Sequence, residues 1–134
     1  MPRVSALFFT MTAVCLLIGM GWGMHMAQSQ DFAMAPAHAH LNLLGGVLPA
    51  IFGSFYALTK ETYSPKFAWV NFLVSLVGVA ITIPALVMLL STNNDAKYGP
   101  ITGIGSGIVA LGVVVFAISV LRELFRRRGL DGIE

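Results

Sequence analysis

Four apolar runs, each long enough to cross a bilayer as a helix, constrain this chain more than any other feature. They are Val4 to about Met26, about Ala37 to Leu58, Phe67 to Leu90 and Ile101 to Leu121. A hydrocarbon core of about 30 Å needs roughly 20 apolar helical residues, and each run meets that length. Only 10% of the 134 residues are charged and 57% are hydrophobic, whereas a soluble domain carries roughly 25% charged residues. The expected fold is therefore all-α: a single membrane domain, residues 1–134, of four transmembrane helices. Polar or turn residues bound the runs: Gln28 to Asp31, Lys60 to Lys66 and Ser91 to Pro100. Loops this short make consecutive helices antiparallel neighbours. Residues 1–29 also have features of a secretion leader, with Arg3 before the apolar run and Ala27-Gln28-Ser29 after it. The run exceeds the ~7–15 residues of a leader's apolar region, so it is read as a retained helix.

Placement of charge predicts the orientation. Arg3, Lys60, Lys66, Arg122, Arg126, Arg127 and Arg128 fall on one side of the bundle, and Lys97 alone falls on the other. Basic residues concentrate on the cytoplasmic side, so both termini are expected in the cytoplasm. The first and third loops then face the exterior or periplasm, as in a bacterial inner-membrane protein. The basic tail Arg126-Arg127-Arg128 is expected among anionic lipid headgroups. No basic stripe interleaved with aromatics is present, which argues against nucleic acid as a partner. The spans hold no deep Asp, Glu, Lys or Arg. Proton-coupled exporters depend on such a carboxylate, so that class loses ground. Cys15 is the single cysteine; it allows neither an intrachain disulfide nor a thiolate metal site.

Small and polar residues in membrane helices face other helices rather than lipid. The first helix ends in Gly19-Met20-Gly21-Trp22-Gly23, with a GxxxG spacing, and the fourth begins Gly103-Ile104-Gly105-Ser106-Gly107. Asn71, Ser75, Gly78 and Thr82 make one polar, small stripe on the third helix. Pro49 and Pro84 are expected to kink their helices and free a carbonyl each.

All three histidines sit near one membrane surface: His25 closes the first helix, and His38 and His40 open the second. Imidazole in lipid is costly unless paired or bound. Residues two apart on a helix point roughly 200° apart, so His38 and His40 cannot grip one ion together. Each can serve a different cofactor, one on either side of the helix, or one can serve a cofactor and the other a hydrogen-bond partner. His38, Asn42, Gly45, Pro49 and Tyr56 share one face, while His40, Leu44, Val47 and Ile51 form an apolar wall with one imidazole, a surface that suits a flat porphyrin. Met20, Met24, Met26 and Met34 lie around the histidines, and thioethers with imidazole also suit Cu(I). Copper is the less favoured cofactor, because methionine is a common apolar filler. A structural subunit without cofactor, packing through its glycines, is the remaining alternative.

The segment Ala35-Pro36-Ala37-His38-Ala39-His40-Leu41-Asn42-Leu43-Leu44-Gly45 resembles the haem-ligand helix of haem–copper oxidase and nitric oxide reductase catalytic subunits. It is closer still to the small four-helix relatives labelled oxidase subunit I-like, in which a Gly-rich first helix and an acidic loop precede this stretch. The resemblance spans Gly19 to Gly45; beyond it only the topology is similar. It implies a b-type haem bound by His38 and His40, with His25 and Asn42 as nearby cofactor-binding residues. The large subunits of that family have twelve helices in three arcs of four, and a His-x-His pair there ligates two different haems. The resemblance therefore implies a homotrimer that mimics this pseudo-threefold core. Haem would sit at each interface, held by His38 of one copy and His40 of its neighbour. The family's copper centre needs further histidines on later helices, and this chain has none after His40. A complete oxidase is not expected. A bis-histidine haem favours electron transfer with an unidentified redox partner, or haem sensing.

Overall fold

The computed structural model describes residues 1–130, with side chains described through Arg126; Arg127 and Arg128 of the basic tail lie outside those described side chains. Helix α1 spans Arg3–Ser29, α2 Ala35–Leu58, α3 Pro65–Thr92 and α4 Asp95–Leu130. All four are long and apolar enough to cross a membrane, so the chain is a multi-pass membrane protein. The first three contain 27, 24 and 28 residues, or roughly 36–42 Å at 1.5 Å per residue. That exceeds a hydrocarbon core of about 30 Å, so helix ends project into the headgroup layers.

The helices run further than hydropathy alone predicts. The expected loop from Ser91 to Pro100 shrinks to Asn93 and Asn94. Asn93 adopts the left-handed conformation (φ 51°) and its N–H closes α3 on the Leu89 carbonyl at 2.9 Å. Asp95 then starts α4, where an acidic side chain favours the positive end of the helix dipole. Gln30 (φ 54°) ends α1 in the same left-handed way. Pro84 lies inside an unbroken α3.

Helix α2 is not uniformly α-helical. Ala35–His40 is α-helical, Leu41–Val47 is a π-helix, and Leu48–Leu58 is α-helical again. Pro49 sits just beyond the π segment; proline has no N–H to donate to the carbonyl four residues back, and its ring crowds that carbonyl. The wider π turn accommodates it: the Leu48 N–H reaches five residues back to the Leu43 carbonyl. Thr12 of α1 donates to the Gly46 carbonyl inside this segment at 3.0 Å.

The bundle is two hairpins, α1–α2 and α3–α4, with α3 against α4 the most extensive pairing. The small, polar face of α3 turns inward as its spacing predicts: Asn71, Ser75, Gly78 and Thr82 are all buried. Glycines of α4 meet it. A Cβ at Gly105 would press on the Thr82 backbone, and one at Gly112 would lie 2.9 Å from Ser75 Oγ. Gly103 and Gly107, by contrast, face open space.

Large side chains gather at the end of the bundle near the α2–α3 turn. Phe8, Phe52, Tyr56 and Phe72 form an aromatic core, with Phe8 edge-on to Phe72 (5.2 Å) and stacked on Tyr56 (6.0 Å). A polar chain runs through it. Ser75 donates to Asn71 Oδ1 at 3.3 Å, Asn71 Nδ2 donates to Tyr56 Oη at 3.2 Å, and Tyr56 Oη lies 3.2 Å from Ser119 Oγ. Three helices are joined by these bonds. Tyr56→Phe should cost about 1 kcal/mol, because it leaves the Asn71 amide unpaired. A double-mutant cycle with Asn71→Ala, read by thermal unfolding in detergent, should show coupling; strict additivity would contradict the network.

Candidate functional site

At the opposite end of the bundle the core changes character from aromatic to glycine and imidazole. Glycines of α1 create the space. A Cβ at Gly19 would collide with the Asn42 side chain, and one at Gly23 would lie 3.1 Å from His38 Cε1. The GxxxG spacing of α1 thus receives two residues four apart on α2. Gly19 takes Asn42, Gly23 takes His38, and Trp22 lies edge-on to the imidazole at 6.4 Å. The sequence identifies both partners but not their docking, because the docking is a contact between helices.

Within this notch Asn42 Nδ2 donates to His38 Nε2 at 3.3 Å. An imidazole that accepts at Nε2 carries its proton on Nδ1 when neutral. His38 Nδ1 and Asn42 Oδ1 are both buried without a hydrogen-bond partner. Each such group costs roughly 1–3 kcal/mol, so the pair is under-satisfied where it stands.

His40 has the opposite setting. Its ring is exposed, and Nδ1 donates to the Pro36 carbonyl one turn back at 2.7 Å. That bond fixes the tautomer and leaves the Nε2 lone pair free, an arrangement common among metal-binding histidines. Below it Val47 and Ile51 are 46% and 48% exposed and Leu44 is half-buried, so this wall lies on the outside of the bundle. The other face, with Gly45, Pro49 and Tyr56 buried, points inward. The divergence of His38 and His40 expected from helical geometry is therefore present: one ring lies between α1 and α2, the other on the outer surface.

His25 is exposed near the end of α1. Among the described residues no three His, Cys, Asp or Glu side chains converge on one point, so the three histidines do not form one cluster. Met20 and Met24 are exposed and Met26 is buried, so the methionines divide between two environments. Cys15 packs against Gly45, where a Cβ would lie 2.7 Å from its Sγ.

Comparison with protein-family models, with curated proteins and with solved structures gave no match. The class of the protein therefore rests on its four apolar helices.

Proposed function

We propose that the protein is a b-type haem-binding membrane protein that transfers electrons or senses haem or redox state at the histidine-bearing end of α2. The observation that carries this reading is His40: an exposed imidazole with Nδ1 committed to a backbone carbonyl and Nε2 free. It stands above an apolar wall in which Val47 and Ile51 are about half exposed. His38 is the second ligand. Its Nε2 lone pair is held by the Asn42 amide, which exchanges for the iron. The two orphaned polar atoms of that pair support such a rearrangement. Because the two rings face opposite ways, one copy cannot supply both ligands to one haem. His40 of one copy and His38 of the next complete the site in a homotrimer. A bis-histidine haem supplies reversible one-electron chemistry. His25, exposed at the same end, is suited to a propionate. By the excess of basic residues at the other end, the site faces the periplasm of a bacterial inner membrane.

An absorption spectrum of the detergent-purified protein, oxidised and then dithionite-reduced, tests this. A sharp reduced α-band of b-type haem is the expected result. A protein that stays colourless after expression with added haem overturns it, and a haem-loaded monomer in native mass spectrometry overturns the trimer. The competing reading is a scaffold subunit without cofactor. It is favoured by the fit of Asn42 and His38 into Gly19 and Gly23, a close helix contact that needs no ligand. Copper bound by the exposed Met20, Met24 and His25 is a weaker alternative that metal analysis would reveal.

A further inference from the structure

The basic end of the bundle holds a cavity unrelated to the histidines. It measures about 600 Å³ and lies between the end of α2, the α2–α3 turn and α4. Its polar lining includes Thr59, Thr62, Ser64, Arg122, Glu123 and Arg126. Arg122 and Arg126 are four apart on α4 and share a face. The one carboxylate in the lining among the described residues, Glu123, accepts a hydrogen bond from Thr62 Oγ1 at 2.7 Å. The Arg122 guanidinium lies over the Phe67 ring at 5.1 Å, and Arg126 donates to the Thr62 carbonyl at 3.4 Å. Both arginines are thus held at the cavity by neutral partners. Guanidinium groups flanked by hydroxyls are suited to a phosphate.

An apolar groove of about 580 Å³ starts where this cavity ends, with Phe55 lining both. It runs up the outside of α2 from Leu58 to Gly46, past Val47 and Ile51 of the wall below His40, with Leu16 of α1 and Phe116 of α4 as its sides. Leu58 to Gly46 is a rise of roughly 18 Å. One leaflet is about half of a ~30 Å hydrocarbon core. The groove therefore has the length of one leaflet and opens at its headgroup level into a cationic, hydroxyl-lined cavity. A free phosphate would use the cavity alone; only a lipid uses both.

We propose that the cavity and groove form one binding site for an anionic phospholipid, with its phosphate between Arg122 and Arg126 and an acyl chain along Ser54, Ala50 and Gly46. The arginine end of the site is separate from the histidines, but its groove shares Val47 and Ile51 with the wall proposed for haem, so the test uses haem-free protein. The full chain, purified in mild detergent, is offered phosphatidylglycerol and phosphatidylcholine of equal chain length, and retained lipid is read by native mass spectrometry. Both lipids offer the phosphate, but phosphatidylcholine also brings a quaternary ammonium to the two guanidinium groups, so phosphatidylglycerol should be retained about tenfold better. Arg122→Gln with Arg126→Gln should remove that preference. Ala50→Trp, which fills the groove and leaves both arginines in place, should lower retention of phosphatidylglycerol. Equal retention of the two lipids by the wild type overturns the site, as does a preference that survives the double substitution. Unchanged retention in Ala50→Trp overturns it too. Glycerol 3-phosphate competing as well as the lipid would show that the cavity takes a free phosphate instead.

Discussion

Gly78→Leu should break the α3–α4 pairing and leave a protein that does not fold stably in detergent. A Cβ at Gly78 would lie 2.8 Å from the backbone nitrogen of Val109 and 2.7 Å from its Cγ2. A side chain can rotate away from such a clash, but a helix backbone cannot, so the two helices must separate. Overpacking of this kind costs about 1–3 kcal/mol and more where backbone has to move. Separation also strips Ser75 and Asn71 of their cover from α4, exposing buried polar atoms to lipid. Thermal unfolding with size-exclusion profiles checks this against Gly107→Leu. Gly107 looks onto open space, and its substitution should leave stability within about 0.5 kcal/mol. Equal behaviour of the two variants would contradict the packing.

His40→Ala should abolish the haem band and leave the bundle unchanged. The ring is exposed and its hydrogen bond is to its own helix, so its removal should shift stability by no more than about 0.5 kcal/mol. His38→Ala should differ. It also loses haem, but it empties the notch over Gly23 and strips the Asn42 amide of its acceptor. A cost of roughly 1–3 kcal/mol follows from the unpaired amide. Haem content per protein, measured beside thermal midpoints for both variants, separates a ligand from a ligand that also holds two helices together. Unchanged haem in both variants would refute the assignment.

Much of the architecture is legible in the residues because hydropathy acts locally. The four spans follow from apolar length alone. The inward face of α3 follows from Asn71, Ser75, Gly78 and Thr82, since each recurs at helical spacing and lipid rejects their polarity. The inner and outer faces of α2 follow from the same logic. What was not legible depends on partners distant in sequence. Gly19 and Gly23 announce a close approach, yet nothing in α1 says that Asn42 and His38 fill it. The cavity at Arg122 exists because the α2–α3 turn brings Thr62 to Glu123, a contact across 61 residues. The start of α4 was hidden by Pro100 and the polar run before it, which look like a loop until Asn93 is seen to turn the chain in two residues.

The π-helix left a trace in the sequence that periodicity of 3.6 obscures. Ala37, Leu41, Gly45 and Pro49 are all buried at strict intervals of four. At about 100° per residue, three such steps would carry a regular α-helix some 120° off its starting face. The Leu41–Val47 segment absorbs that drift, about one residue's worth of rotation. In terms of rotation α2 carries a surplus residue: deleting one position within the segment would leave His40 and Tyr56 on their present sides, at the cost of crowding Pro49 against the carbonyl four residues back. The same deletion elsewhere in α2 would swing one end by about 100°. A change of length by one residue therefore leaves the facing of both ends intact only within the stretch that separates the imidazoles from the aromatic core.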